Sequence, residues 1–192
     1  MGQDEGAWGW PTVSGTGHRK HHLTPPQRLW TRRVLFDVMW KLWDQCNTRT
    51  VVSGFASGSD LWIADAGHRR GMTLSGHIPC LSQPEVWRDL EEIAEWHRLR
   101  ALIAPGQEVV YGDEYHIDLL GQRNDGMLDV SDVVLAVWKR SKRSGGAAGQ
   151  VKAARRRGLP IIHIDPEALT VRWPDLPTRT RVEQLSMFEE LT

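Results

Sequence analysis

The chain has 192 residues, of which 40% are apolar and 25% are charged, as in a soluble globular protein of one domain with a short appendage. The 24 basic and 24 acidic residues cancel, and no apolar run approaches the roughly 20 residues that cross a bilayer. Met1 to Gly9 lack the basic-then-apolar layout of a signal peptide. We therefore expect a cytoplasmic protein that has no membrane partner.

Cysteines and tryptophans add little about function. Cys46 and Cys80 show no metal-ligand spacing and are expected to be reduced, buried thiols. The chain has ten tryptophans, and five of them fall on predicted helices, where core packing is the expected role: Trp30, Trp40, Trp43, Trp62 and Trp96.

The first part of the chain predicts a leader, a strand and a long helix. Residues 1–10 are expected to be a flexible leader, and residues 11–14 a short strand. This strand opens into a polar loop made of Gly15, Thr16, Gly17, His18 and Arg19. A helix is predicted to begin at about Pro26, since proline suits the first helical turn. Its apolar face comprises Leu29, Trp30, Val34, Leu35, Val38, Met39, Leu42 and Trp43.

The stretch 48–70 predicts a buried strand, a small-residue turn and a helix that ends at about Arg70. Ser59 is expected to cap the helix, and Asp60 lies in its first turn, where a carboxylate suits the helix dipole. Small residues allow close approach of a ligand, and free helix amides attract anions, so we expect a phosphate cradle. The alternative is a tight turn required only for packing. The turn residues with a predicted binding role are Ser53, Gly54, Ala56, Gly58, Ser59 and Asp60.

The middle of the chain predicts two strands and two helices. Gly71 closes the preceding helix, and residues 72–79 and 109–110 predict strands. An amphipathic helix is expected from about Pro84 to Leu102, and another over residues 115–128 presents Arg123 and Asn124. Arg123 is the best candidate for a phosphate clamp, and its alternative role is a surface ion pair with Asp125 or Asp129. Asn124 either reads a base or ribose edge or caps a turn.

The last predicted strand–helix–strand unit is strongly basic. Residues 131–138 predict a strand buried on both faces, and residues 160–164 a further one. Between Val133 and Ile164 there are eight basic residues and no acidic one, which favours a phosphate-bearing partner over a protein generally coated with nucleic acid. The alternative is a solvated basic face, which is the favoured interpretation for Arg155 to Arg157. The helix is preceded by a glycine-rich turn whose predicted binding residues are Gly145, Gly146, Ala147, Ala148, Gly149 and Gln150.

Strand and helix alternate throughout, so we predict an α/β fold with a Rossmann-like parallel sheet and helices on both faces. The domain is expected over residues 11–168, followed by a tail over 169–192 that holds a short helix or peptide motif. Ligands of such sheets bind beyond the carboxyl ends of the strands. The loops 15–19, 53–60 and 144–150 are expected to converge there.

Five motifs follow one another along the chain: Thr16-Gly17-His18-Arg19, Ser53-Gly54-x-Ala56-x-Gly58-x-Asp60, Arg123-Asn124-x-x-Met127-Leu128, Gly145-Gly146 and Gly158-Leu159-Pro160-Ile161. In this order they resemble the SLOG superfamily. The YpsA-like branch is the most similar, and relatives include the DprA/Smf DNA-processing proteins and the Lonely-guy phosphoribohydrolases. The resemblance implies a Rossmann-like fold with a pocket for a nucleotide or nucleotide-derived ligand, with no further cofactor required.

One departure from the Lonely-guy pattern bears on catalysis. Those enzymes carry a glutamate in the glycine-rich loop that assists N-glycosidic cleavage, whereas Lys152 takes the matching position here. We therefore expect binding or sensing rather than catalysis, with a nucleotide N-glycosidase as the alternative. Asp60 is then the candidate catalytic carboxylate. His18, His21 and His22 have no cysteine or carboxylate at a spacing that completes a metal site, so no metal is expected.

The basic stretch and the tail predict further partners. A DprA-like accessory role in DNA processing is a third hypothesis, with single-stranded DNA bound along Lys139 to Arg157. Gln184, Leu185, Ser186, Met187 and Phe188 resemble the peptide that docks on the polymerase sliding clamp, with an amphipathic helix folded back on the domain as the alternative. A homo-oligomer is also expected among relatives, although the sequence shows no interface stripe.

Overall fold

A seven-stranded sheet runs through the protein, and the computed structural model describes residues 9–177. The strand order is β4-β3-β2-β1-β5-β6-β7, and every neighbouring pair is parallel except β6 and β7. The predicted Rossmann-like α/β fold is therefore confirmed. The strands are β1 Thr12–Gly17, β2 Thr50–Ser53, β3 Thr73–Cys80, β4 Glu108–Gly112, β5 Val133–Val137, β6 Ile161–Asp165 and β7 Thr170–Arg172.

Helices cover both faces of the sheet. They are α1 Pro25–Gln45, α2 Ser59–Arg70, α3 Leu90–Arg100, α4 Ile117–Asp129 and α5 Gly146–Arg156. All five residues of β5 are buried, and successive side chains point to opposite faces of the sheet. Val133, Leu135 and Val137 join the main core with α1, α2 and α3, whereas Val134 packs with Leu128 of α4 and Ala154 of α5.

Helix α1 begins where the sequence places a proline and a capping pair. The Thr24 hydroxyl accepts from the Gln27 amide, and the Gln27 side chain accepts from the Thr24 amide. Its predicted apolar face is only partly correct, because Leu29 is 75% exposed. Trp40 also lies at the surface, 55% exposed, so the core role expected for it is wrong. Trp62 and Trp96 are buried as expected.

Two predicted boundaries are corrected by the structure. Gly15, Thr16 and Gly17 belong to β1 rather than to the loop after it, because they pair with residues 135–137 of β5. The helix expected from Pro84 to Leu102 is divided into a short 3-10 helix, Gln83–Val86, and α3, which Asp89 caps by accepting from the amides of Glu91 and Glu92. Both cysteines are buried and free, as expected.

The sheet continues past residue 168, where the sequence analysis ended the domain. Strand β7 pairs antiparallel with β6, and Val171, Trp173 and Leu176 pack against the main core. Within residues 9–177, no helix combines the length and the hydropathy needed to cross a bilayer. The tail motif of Gln184, Leu185, Met187 and Phe188 lies outside the described residues, as do residues 1–8.

Candidate functional site

The strand order reverses between β1 and β5, and the candidate site lies at this point of the sheet. From β1 the chain adds strands on one side through β2, β3 and β4, and then crosses to β5 on the other side. The connections therefore leave the sheet in opposite directions and open a crevice at the carboxyl ends of β1 and β5. The His18 amide donates to the Val137 carbonyl at 3.1 Å, which fixes the floor of this crevice.

Two of the predicted loops line one small cavity at this crevice. We call it the glycine cavity, and its volume is about 100 Å³. Gly17, His18 and Arg19 form one wall, and the turn that begins α5 forms the other. A Cβ on Gly17 would lie 2.5 Å from the Ser59 Cβ, so only glycine allows the loop after β2 to close against this wall. The residues of the opposite wall are Ser144, Gly145, Gly146 and Ala147.

The glycine cavity offers an anion unoccupied amides and cationic groups. Gly145 precedes α5 with φ +103°, and no side chain caps the helix. The amides of the first helical turn have no intrahelical acceptors, and the helix dipole makes this end positive. Arg19 and Lys142 also line the cavity, and neither forms a salt bridge within residues 9–177. The arrangement suits a phosphate or a carboxylate of a ligand.

His18 contributes to the cavity as a neutral side chain. It is 5% exposed, and its Nε2 accepts from the Lys139 amide at 2.9 Å. Burial, followed by the nearby His22, Lys139 and Lys142, lowers the pKa of His18 to about 4. Burial also lowers the pKa of His22, with His21 and Lys142 adding to the effect. These histidines therefore shape the cavity at neutral pH without adding charge.

A second cavity, the cationic cavity, adjoins the first. It has a volume of about 420 Å³ and shares His18, His22, Lys142 and Ser144 with the glycine cavity. The loop after β5 supplies its basic residues, and the Lys139 ammonium donates to the His22 carbonyl at 2.8 Å, which ties this loop to the loop after β1. The other lining residues are Lys139, Ser141, Arg143 and Glu167.

A third cavity, the aromatic cavity, lies on the other side of Arg19. Its volume is about 550 Å³, and Arg19 lines both this cavity and the glycine cavity. Half-buried Trp87 and exposed Tyr115 offer flat aromatic surfaces. Its two carboxylates are already engaged: Asp89 with the Lys20 ammonium, and Glu92 with the loop after β2. The remaining lining residues are His21, Arg28, Ser57, Gln83, Val86, Arg88 and Leu120.

The loop after β2 is closed by contacts within the protein. The Glu92 carboxylate accepts from the Ser57 hydroxyl at 2.7 Å and from the Gly58 amide at 2.6 Å. The Ser59 amide donates to the His18 carbonyl at 3.1 Å. These amides, expected to cradle a phosphate, therefore already have acceptors, and Glu92 occupies the place of the anion. The predicted cap is corrected too, because Gly58, at φ +86°, precedes α2 and the Ser59 hydroxyl donates to His18 instead.

Arg123 and Asp60 form a buried ion pair behind this loop. An Arg123 guanidinium nitrogen lies 3.2 Å from an Asp60 carboxylate oxygen, and their side chains are 7% and 8% exposed. Burial raises the pKa of Asp60 and lowers that of Arg123, while their mutual attraction opposes both changes. Neither residue lines the three cavities. Asp125 and Asp129, the alternative partners considered for Arg123, pair with Arg157 instead.

The other predicted site residues lie around the crevice. Ser53 is buried, and its hydroxyl accepts from the Phe55 amide. Asn124 is half-buried on α4, and Gln150 is buried on α5; each has one side-chain polar atom without a hydrogen-bond partner. Ala148 and Gly149 complete the first turn of α5, and neither lines the glycine cavity. In the part of the chain that the structure describes, no group of three or more metal-ligating side chains is placed to hold a metal ion.

Sequence reasoning missed the aromatic cavity and Glu92. Trp87 and Tyr115 lie on connecting segments, and no spacing in the sequence marks them as neighbours. Glu92 is 34 residues from the Gly58 amide that it binds. The one signal available in the sequence is that Glu92 lies at helical spacing from Trp96 and Leu99, because a carboxylate on an apolar helix face is rarely buried without a partner.

Comparisons with known proteins find the fold but no family. No protein-family model matches the chain, and no curated protein matches its sequence. Among solved structures, DNA processing protein A (DprA) from Streptococcus pneumoniae superposes with a TM-score of 0.56 and 15% identity over 80% of this chain and 50% of that chain. The chain thus spans half the length of that protein.

Two further structures are similar. DprA from Helicobacter pylori, solved to describe its binding of single-stranded DNA, has a TM-score of 0.57 and 15% identity over 94% of this chain and 74% of that chain. The molybdenum cofactor binding protein from Rippkaea orientalis has a TM-score of 0.49 and 14% identity, over 94% and 83% of the two chains. This chain and the two DprA proteins share the Rossmann-like fold.

Proposed function

We propose that the protein binds a phosphate-bearing, nucleotide-derived ligand at the crevice between β1 and β5, as a SLOG-type module of the YpsA-like branch. The observation that carries this proposal is the glycine cavity, where the uncapped first turn of α5 faces Arg19 and Lys142. The first turn of α5, Arg19 and Lys142 thus place positive charge around one cavity. Its volume of about 100 Å³ has room for a phosphate group only. The DprA structures support the proposal only through the shared fold.

The phosphate group accepts hydrogen bonds from the amides of Gly146 and Ala147. Hydrogen bonds to a charged group contribute about 1.5–3 kcal/mol each, and the helix dipole adds roughly 0.3–1 kcal/mol. Arg19 reaches the same phosphate from the β1 side, and its planar guanidinium suits bidentate contact with phosphate oxygens. Lys142 acts as a point charge from the solvent side.

The rest of the ligand extends into the aromatic cavity. Arg19 lines both this cavity and the phosphate site, and we place the two ends of one ligand on either side of its side chain. Trp87 and Tyr115 provide flat surfaces on which a nucleobase stacks, a contact that contributes roughly 1–3 kcal/mol per base. A volume of about 550 Å³ falls within the range of small-molecule sites, roughly 300–1,000 Å³.

Isothermal titration calorimetry with AMP, NAD, ADP-ribose and cyclic dinucleotides tests the proposal. We expect at least one of these ligands to bind, with affinity that falls when inorganic phosphate is added as a competitor. No heat from any ligand with a protein that circular dichroism shows to be folded contradicts the proposal.

Variants locate the site of any binding that is found. Arg19→Ala and Lys142→Ala are each expected to weaken binding about tenfold, the loss of one charge-assisted contact. Lys152→Ala is the matched control, since Lys152 is exposed on α5 and lines none of the three cavities. Equal affinity of all three variants and the parent protein contradicts this location.

A second candidate function is binding of single-stranded DNA, favoured by one specific observation. The loop after β5 exposes Arg140, Lys142 and Arg143 beside the cationic cavity. Binding through these residues predicts an affinity that falls steeply with salt concentration. Unchanged gel mobility of single-stranded DNA at low salt rules against it.

Recruitment to the sliding clamp through Gln184, Leu185, Met187 and Phe188 remains a separate proposal from the sequence. A clamp pull-down that is lost on Phe188→Ala supports this proposal, and an unaltered pull-down contradicts it. Cleavage of an N-glycosidic bond likewise remains a proposal, which release of free base from nucleoside monophosphates tests. Loss of that release on Asp60→Asn assigns it to this protein.

A further inference from the structure

One edge of the sheet has backbone groups available for another strand. Within residues 9–177, β4 has a neighbouring strand on one side only. The Gly76 amide donates to the Gln107 carbonyl at 2.9 Å, which sets the hydrogen-bonding phase of the β3–β4 ladder. Because backbone groups alternate in direction along a strand, residues 109 and 111 bond to β3, whereas the amides and carbonyls of Glu108, Val110 and Gly112 face outward.

The two edges of the sheet differ in how they are protected. Strand β7 has three residues and ends in exposed Arg172, and a short, charged edge disfavours pairing with another chain. Strand β4 has five residues with the sequence Glu-Val-Val-Tyr-Gly, without proline or lysine. Val109 is 41% exposed and Val110 is 39% exposed. An apolar edge of this length is a template for an added strand.

We propose that a second copy of this chain pairs with β4, edge to edge and antiparallel, about a twofold axis at Val110. This register pairs Val110 with its symmetry mate and Glu108 with Gly112 of the second copy. In this register all three outward-facing residues of each strand form backbone hydrogen bonds to the other copy. A register shifted by two residues leaves one outward-facing residue of each strand without a partner. The two sheets then form one continuous sheet of fourteen strands, twice the seven of one chain.

The charges at the ends of the strand are complementary in this register. Glu108 faces a glycine rather than its own symmetry mate, and Arg100 already pairs with it at 2.7 Å, so no like charges meet. Asp113 and Glu114 of the second copy continue past the strand to Gln107 and Gly106. There, a cavity of about 420 Å³ is lined by Arg100, whose Nε and Nη2 donate to Glu108 and whose Nη1 is left to donate to one of these acidic side chains.

Sedimentation equilibrium of the full chain tests the proposal. We expect an average mass that rises with protein concentration from 21.8 kDa towards twice that value. The double variant Asp113→Asn/Glu114→Gln is expected to raise the dimer dissociation constant about threefold, the effect of partly exposed charge pairs. A mass of one chain at every concentration up to the solubility limit overturns the proposal.

A charge at the twofold axis provides the sharpest variant. Val110→Lys places two ammonium groups opposite each other and is expected to keep the protein monomeric. Leu29→Lys is the matched control: Leu29 is 75% exposed on α1, so its replacement leaves the dimer intact. A Val110→Lys protein that still forms the dimer at parental strength contradicts the interface. Thermal unfolding confirms that both variants are folded.

Hydrogen exchange distinguishes this interface from a dimer formed elsewhere. The outward amides of Glu108, Val110 and Gly112 are expected to be protected at high protein concentration and to exchange rapidly on dilution. Val110→Pro removes the central outward donor and keeps the bonds of β4 to β3, so it is expected to abolish the dimer while the protein stays folded. A dimer whose three amides exchange rapidly overturns the proposal.

Discussion

At the scale of single residues, Gly54 determines how closely Arg123 approaches the loop after β2. Arg123 lies against the backbone of Gly54, and a Cβ at that position would be 1.4 Å from its guanidinium nitrogen. The guanidinium is held there by Asp60, 63 residues away in the chain. The sequence marks Gly54 as special, but its reason is the packing of an arginine rather than close approach of a ligand.

Replacing Gly54 with alanine is expected to destabilise the protein by about 2–3 kcal/mol, because the rigid backbone and the buried ion pair leave no room for the methyl group. Chemical denaturation measures this loss. Gly121→Ala is the control, since no atom lies within 4 Å of a Cβ on Gly121 in α4, and alanine is expected to stabilise that helix by about 1 kcal/mol. A Gly54→Ala protein as stable as the parent contradicts the observed packing of Arg123.

His18 predicts a pH dependence of stability. Its pKa is about 4 in the folded protein and 6.5 when unfolded, so the unfolded chain binds more protons between these values. The contribution of His18 is fully present above pH 6.5 and is lost as the pH falls towards 4, in total about 3 kcal/mol. Between pH 7 and pH 4, the free energy of unfolding is expected to fall less steeply with decreasing pH in the His18→Gln variant than in the parent protein. Parallel curves for the parent and variant contradict this prediction.

At the scale of elements, α3 serves to close the loop after β2. Glu92 projects from its first turn and accepts from the Ser57 hydroxyl and the Gly58 amide. The amphipathic pattern of this helix is readable from the sequence, but the target of its buried carboxylate depends on how α3 packs. For that reason the sequence predicts a phosphate cradle in the loop after β2, whereas in the structure the Gly58 and Ser59 amides donate to acceptors within the protein.

Glu92→Ala is expected to destabilise the protein by about 2 kcal/mol, because it leaves the buried Gly58 amide without an acceptor. The amide of Gly58 should also exchange with solvent more rapidly. Glu91→Ala is the control, since the Glu91 side chain is 91% exposed on the same turn, and we expect an effect within about 0.5 kcal/mol. Equal losses from the two variants contradict the role of Glu92.

At the scale of the whole molecule, the sequence indicates the sheet, its helices and the edge at which the loops meet. Buried apolar runs such as 133–137 identify parallel strands because helices cover both faces. The partner of Arg123 and the wall formed by Trp87 and Tyr115 depend on contacts between segments far apart in the chain. No local pattern encodes those contacts, which is why the ion pair and the aromatic cavity emerge only from the fold.

The extent of the domain also follows from long-range packing. A chain that ends at Ala168 lacks β7, together with Val171, Trp173 and Leu176, which pack on the main core. We expect it to be less stable than a chain that ends at Pro177 by at least about 2 kcal/mol, the burial of one large apolar side chain. Urea unfolding of the two truncated proteins compares them directly. Equal midpoints contradict a structural role for β7.

The first turn of α5 is proposed to hold the phosphate of a ligand, and Gly146→Asp tests this role most directly. Gly146 has open space around it, so the aspartate fits, suits the helix dipole and places a carboxylate at the amides that the phosphate requires. We predict that, in calorimetry with the tightest ligand of the nucleotide panel, the variant shows no binding while its thermal stability equals or exceeds that of the parent. Unchanged affinity in the Gly146→Asp protein contradicts the claim.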